Sequence, residues 1–212
     1  MYKKIIKNIL DFLVGLCGLP VLFIVLIIFG PIIYFTDKGP IFYNAERIGK
    51  NGKLFKMYKF RSMYVNAPDI RLSDGSTYNG EDDPRVTKIG KFMRSTSIDE
   101  LPQLLNLFNG TMSLIGPRPD PPDWLNRYPE DVKVFLTVKP GLTGYNQAYY
   151  RNSADAEEKM RNDVYYAEHV NFIMDVKIFL KTIVIVLCHD STYKDTSNEE
   201  DAKKQIEKLK KS

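Results

Sequence analysis

Asp99 and Glu100 stand side by side in TSIDELPQLLN, where a polar stretch gives way to an apolar run. Adjacent carboxylates suit two kinds of phosphate chemistry. A carboxylate can attack phosphorus and form a covalent intermediate. One or two carboxylates, together with substrate phosphates, also make the usual setting for magnesium. Acidic residues at a helix start equally need no function, because the helix dipole favours them there. The neighbours tip the balance towards phosphate. Lys88, Lys91 and Arg94 lie upstream, and Arg118 follows in SLIGPRP. That segment reads as a strand ending in a proline-framed turn, and a guanidinium fixed on such a turn suits bidentate phosphate binding.

Local signals suggest the elements that position these groups. Ser97 to Glu100 matches a capping box, but Pro102 would then fall just inside the bonded helix. Taking Asp99 as N-cap puts Pro102 in the first turn, where no bond is lost. Leu101, Leu104, Leu105 and Phe108 then form the buried face, and Asn109-Gly110 ends the helix. KNGK, residues 50–53, is a hairpin signal, with Phe55, Tyr58 and Phe60 interleaved among Lys56, Lys59 and Arg61. Residues 66–84 read as a mobile polar loop and TKIGKFMRS as a short basic helix. KVFLTVKPGLTGYNQ ends in turn chemistry. Two helical patterns run from about Ala154 to Leu187. The second is strongly apolar, with Asp175, Lys177 and Lys181 on a narrower face, which fits a core helix or, favoured by the apolar N-terminus, one lying in a membrane interface. The lysine-rich tail reads as frayed or disordered.

The 212 residues carry a net charge of +4, and the mean hydropathy of -0.27 hides an uneven distribution. After MYKKIIK and Asp11, the stretch from Phe12 to Phe35 has no charged residue and is long enough to cross a bilayer. It is too long for a signal-peptide core and no small-x-small cleavage site follows. Gly18, Pro20, Gly30 and Pro31 interrupt it, and both flanks are basic, so a span and a re-entrant hairpin both remain open. Cys17 and Cys188 have no metal-ligand or disulfide spacing, and His169 and His189 lie far from every motif. The modest charge and the lack of a recognition module argue against nucleic acid.

In order along the chain, KGPIFYNAERIG, LFKMYKFRSM, DDPRVTKIGKFMRSTSIDELPQLLNLFNGTMSLIGPRP and KPGLTGYNQ follow the basic-then-apolar start. This set resembles the small monotopic phosphoglycosyl transferases, the bacterial sugar transferase family. The resemblance implies a mixed α/β, helix-dominated fold. It would have an N-terminal re-entrant membrane helix and a cytoplasmic catalytic domain with a small β-hairpin and amphipathic interfacial helices. The units would be residues 1–36, 37–190 and a polar tail, 191–212. The implied reaction moves a phosphosugar from a UDP-sugar to polyprenyl phosphate with release of UMP, by a ping-pong route using Mg2+. Asp99 would be the nucleophile. Glu100 would act as a base or orient the acceptor, and both would face the metal. Arg118 would bind nucleotide phosphate, supported by Lys59, Arg61, Arg85 and Arg94, with Gln147 and Arg151 from the late motif. The implied setting is the cytoplasmic face of a bacterial membrane, with membrane lipids and a second copy of the chain as partners and no nucleic acid. An idle scaffold for glycan assembly is the alternative. Two departures stand out. The Ser-Pro break expected of the helix is Leu19-Pro20 here, with Gly18 beside it. Tyr149 and Tyr150 replace the usual residues of the late motif, where they would bear on sugar preference.

Overall fold

The computed structural model describes residues 1–72, 77–80, 83–150, 153–187, 204–207 and 209. Helix dominates. A π-helical turn, Tyr2–Ile6, leads into α1, Lys7–Asp37, which ends at Lys38 in the left-handed region. Among the described residues α1, with the turn before it, is the one helix long and apolar enough to cross a bilayer, and little of its apolar stretch is buried in the protein. Pro20 and Pro31 lie inside α1, which remains helical through both. The glycines serve close approach. A Cβ at Gly18 would lie 2.8 Å from both Leu104 methyl carbons, and one at Gly15 would lie 2.6 Å from the backbone nitrogen of Phe108. Phe12 stacks on Phe108 beside this contact, with ring centres 5.3 Å apart. Gly15→Leu therefore forces α1 off its partner helix and costs about 1–3 kcal/mol or more. A thermal midpoint in detergent unchanged from wild type would contradict this packing.

The first turns of α1 are tied to the domain by buried polar groups. Asp175 accepts hydrogen bonds from Tyr2, from Lys7 at 2.6 Å and from Tyr166 at 2.8 Å. Asp11 accepts from Ser113 Oγ at 3.0 Å and from Leu114 N–H at 2.8 Å. Asp175 therefore lies inside the fold. On the narrower polar face that the sequence gives it, Asp175 is turned inward, onto the start of α1.

Strands β1, Phe42–Ile48, and β2, Leu54–Phe60, form the expected antiparallel hairpin, pairing Phe42 with Phe60 and Ile48 with Leu54. Buried Asn106 covers the free edge of β2. It accepts from Tyr58 N–H at 2.9 Å and donates to Lys56 O at 2.8 Å, as a neighbouring strand would. Helix α2, Lys88–Ser95, is capped by Thr87, whose hydroxyl accepts from Gly90 N–H. The short helix α3, Leu104–Phe108, follows. Strand β3, Ser113–Ile115, pairs in parallel with β4, Gly141–Thr143, and α4, Tyr145–Tyr149, starts straight after it. The late motif is thus strand and helix where turns were expected, because β3 supplies a ladder partner that no local signal reveals.

Helices α5, Ala156–His169, and α6, Phe172–Leu187, close the fold, as the sequence pattern suggests. Ile178, Tyr166 and Ala167 join Ile48, Ile115, Tyr128 and Phe135 in the largest core. Phe172, Ile173, Leu180 and Val184 of α6 stay exposed. Part of the polar loop is anchored: Ile70, Leu72 and Tyr78 are buried against Ile206 of the tail. Residues 204–207 and 209 are helical, and the other tail residues, Cys188 and His189 lie outside the described residues.

Candidate active site

The carboxylate pair sits on a 3-10 turn, Ile98–Gln103, between α2 and α3. Ser97 enters it with φ 57°, and no side chain caps it. The expected N-cap at Asp99 is therefore corrected. Pro102 fits a 3-10 turn, where the tighter pattern replaces the α-helical bond that its ring would block. The buried face also differs. Leu104 and Leu107 are buried, while Phe108 is 39% exposed. A 3-10 start followed by α-helix shifts the phase assumed for a continuous helix.

Freed from capping, the two carboxylates diverge. Glu100 Oε1 accepts from Lys59 Nζ at 2.7 Å and from Arg118 Nη2 at 2.7 Å. Burial alone would raise Glu100, but the charges and hydrogen bonds of Arg118 and Lys59 overcome it and hold Glu100 far below the usual carboxylate range. Glu100 in turn keeps Arg118 protonated. Asp99 is 7% exposed, and no hydrogen bond from a described residue reaches its carboxylate. Burial pushes Asp99 above the usual aspartate range, Lys59 pulls it back down, and Glu100 adds to the rise. One carboxylate is thus ionised and occupied, and the other is bare. Among the described residues no group of three or more His, Cys, Asp or Glu could hold a metal. The donor set fits a hard divalent ion that shares one or two carboxylates with substrate phosphates.

The remaining candidates divide by position. Lys59 and Arg118 meet at Glu100. Arg94 donates to Ser62 Oγ at 3.0 Å and to Asn79 Oδ1 at 3.2 Å, and its charge is felt at Asp99. Arg61 is buried and pairs with Asp37, donating also to Pro40 O and Ile33 O, so it fastens the end of α1 to β2. Arg85 forks onto Asp83 and donates to Pro68 O and Tyr78 O. Neither guanidinium points at Asp99. Gln147 lies beneath the Arg118 turn, where Gly144 and Gly116 touch, and both its side-chain polar atoms are buried without a partner. Arg151 lies outside the described residues. Tyr149 and Tyr150 cluster on Tyr145, and Lys181 sits 4.1 Å above the Tyr149 ring. His169 stacks on Tyr165, a packing role. Sequence reasoning missed Asn106 and Asp120. Asp120 could have been suspected from its place in the proline-rich PRPDPP segment, but an asparagine within an apolar helix gives no comparable signal.

A shallow, mainly apolar cleft lies beside Arg118, lined by Gly49, Pro119, Tyr128 and Leu136 among others, and Asp99, Glu100 and Lys59 are not in its lining. Bare Asp99 beside the cation-held Glu100 has the chemistry to displace a phosphate ester. The sequence matches the bacterial sugar transferase family over residues 2–189, and the chain belongs to that family. It is 40% identical over 168 residues to the undecaprenyl-phosphate galactose phosphotransferase of Salmonella typhimurium, covering 74% of this chain and 35% of that one. The galactosyl transferase CpsE of Streptococcus agalactiae is 42% identical, over 86% of this chain and 42% of its own. The chain thus spans less than half the length of these two. The exopolysaccharide production protein ExoY of Sinorhizobium fredii is 36% identical over 88% of both chains.

Proposed function

We propose that this chain transfers a phosphosugar from a UDP-sugar to polyprenyl phosphate and releases UMP, as an early step of exopolysaccharide or capsule synthesis at a membrane. The bare, buried Asp99 beside a cation-locked Glu100 carries the reading. The relatives named for undecaprenyl phosphate and exopolysaccharide agree with it.

In the first half-reaction an Asp99 oxygen attacks the β-phosphorus of the donor. The bond from that phosphorus to the bridging oxygen breaks, and UMP leaves with the bond's electron pair. In the second, an oxygen of polyprenyl phosphate attacks the same phosphorus and releases Asp99. Desolvation keeps the nucleophile reactive, since no hydrogen bond has to be broken before attack. Arg118 is the natural partner for donor phosphates, and in the free protein Glu100 holds it in place. Glu100 is too acidic here to serve well as a base, so its role is to fix Lys59 and Arg118 around the reacting phosphate. Mg2+, held by Asp99, Glu100 and substrate phosphates, would neutralise phosphate charge.

For the membrane, α1 and the exposed face of α6 present apolar surface while the α1 start is clamped to the domain. We read α1 as re-entrant, with the domain on the cytoplasmic face. Single cysteines placed before Lys7 and after Lys38, in a background lacking Cys17 and Cys188, should label from the same side of sealed vesicles. Labelling from opposite sides would establish a span instead. The reaction itself is tested with the purified protein, magnesium, undecaprenyl phosphate and a panel of UDP-sugars. UMP release with at least one sugar is expected, and folded protein silent across a broad panel would count against the reading.

A further inference from the structure

The turn that presents Arg118 is fastened by a second charge network outside the reacting site. Asp120, two residues on, accepts at its carbonyl from Ile48 N–H at 3.0 Å. Its Oδ2 accepts from Tyr128 OH and from Lys159 Nζ, each at 2.8 Å. Lys159 also donates to Asp163 Oδ2 at 3.0 Å, one turn along α5. Asp163 is almost wholly buried, and burial pushes its carboxyl up to about 6 against the opposing charge of Lys159.

The backbone between these anchors has little freedom. Pro117, Pro119, Pro121 and Pro122 each have a fixed φ. Pro117 O accepts from Gly141 N–H at 2.9 Å, and Gly116 packs against Gly141 and Gly144 with no room for a Cβ. A stiff turn moves as a body, so its far anchor sets the direction of the outward side chain. That side chain is Arg118, 43% exposed and reaching Glu100. Stability alone is a weak reason for this bridge. Ordering a lysine and partly desolvating three charges is costly, and well-packed apolar residues usually stabilise at least as well. The bridge joins α5 to the Arg118 turn where direction matters.

We propose that Lys159 is a positioning residue for Arg118: by linking Asp120 to Asp163 it sets the angle at which the turn offers its guanidinium to the diphosphate of the donor. This rests on the proposed reaction.

The test is a double-mutant cycle read by UDP affinity and by donor KM against kcat. Lys159→Met should weaken UDP binding and raise donor KM about tenfold, with kcat within about twofold, since small misplacements of binding groups have effects of this order. Lys159→Arg should restore most of the loss. In an Arg118→Met background, adding Lys159→Met should change UDP affinity less than about twofold, because the group it acts through is gone. An equal loss in both backgrounds, or unchanged UDP affinity in folded Lys159→Met protein, overturns the proposal. If that variant does not fold, Asp120→Asn, which keeps an acceptor for Tyr128 and removes the charge, enters the same cycle with the same criteria. Wild-type protein that binds UDP but releases no UMP counts against the reaction alone, and the cycle is then read from UDP affinity. Arg118→Met protein that binds UDP as wild type does would remove both the Arg118 role and the proposal.

Discussion

Asp99→Asn should lower UMP release by about four orders of magnitude or more, the scale seen when a covalent nucleophile is removed, while the protein stays folded. Both halves of this prediction follow from the same geometry. The carboxylate accepts no hydrogen bond from a described residue and caps no helix, so no described part of the fold hangs on it. Burial already disfavours its charge. An amide of the same shape relieves that cost, so the thermal midpoint should hold or rise slightly. Asparagine lacks the anionic oxygen needed to attack phosphorus, and no neighbour can replace it, because Glu100 is occupied by Lys59 and Arg118. UMP release above about one per cent of wild type by folded Asp99→Asn protein would remove Asp99 as the nucleophile.

Arg85→Met should destabilise the protein by about 3–5 kcal/mol, the usual cost of leaving one member of a buried ion pair alone. Asp83 has no exposed surface and Arg85 only 4%. Their fork holds three segments together, since the same guanidinium donates to Pro68 O at 2.7 Å and Tyr78 O at 3.1 Å. Tyr78 in turn belongs to the small core with Ile70, Leu72 and Ile206. Chemical denaturation of wild type and variant measures the difference. Arg85→Lys should recover only part of it, because an ammonium cannot fork onto both carboxylate oxygens while reaching two carbonyls. A folded Arg85→Met protein of wild-type stability with a raised donor KM would show that Arg85 binds phosphate rather than staples the loop.

These two residues mark where the sequence is legible and where it stops. The hairpin at KNGK, the basic helix capped at Thr87 and the pair α5–α6 announce themselves, because turn chemistry, capping and hydrophobic period act over a few residues. The pairing of β3 with β4 is hidden, since the partners lie far apart in the chain and each is only three residues long. The same limit governs the cations. Lys59, Arg118, Arg61 and Arg85 look alike as letters among aromatic and proline residues. Which of them faces Glu100 and which is consumed by Asp37 or Asp83 depends on side-chain direction in the folded chain. Pro102 was a legible warning that an α-helix could not begin cleanly at the carboxylates. Its consequence, a 3-10 turn that leaves Asp99 bare, depends on how the turn packs between α2 and α3 in the folded chain. Gly18 reads in sequence as loosening of an apolar helix, yet it and Gly15 each make room for another element.

The most direct measurement omits the acceptor. Protein incubated with magnesium and its UDP-sugar, without polyprenyl phosphate, should release about one UMP per active chain and gain the mass of one phosphosugar. Fragment masses should place the adduct on Asp99, and adding polyprenyl phosphate should discharge it. UMP release that strictly requires the acceptor, or an adduct on another residue, would contradict the account.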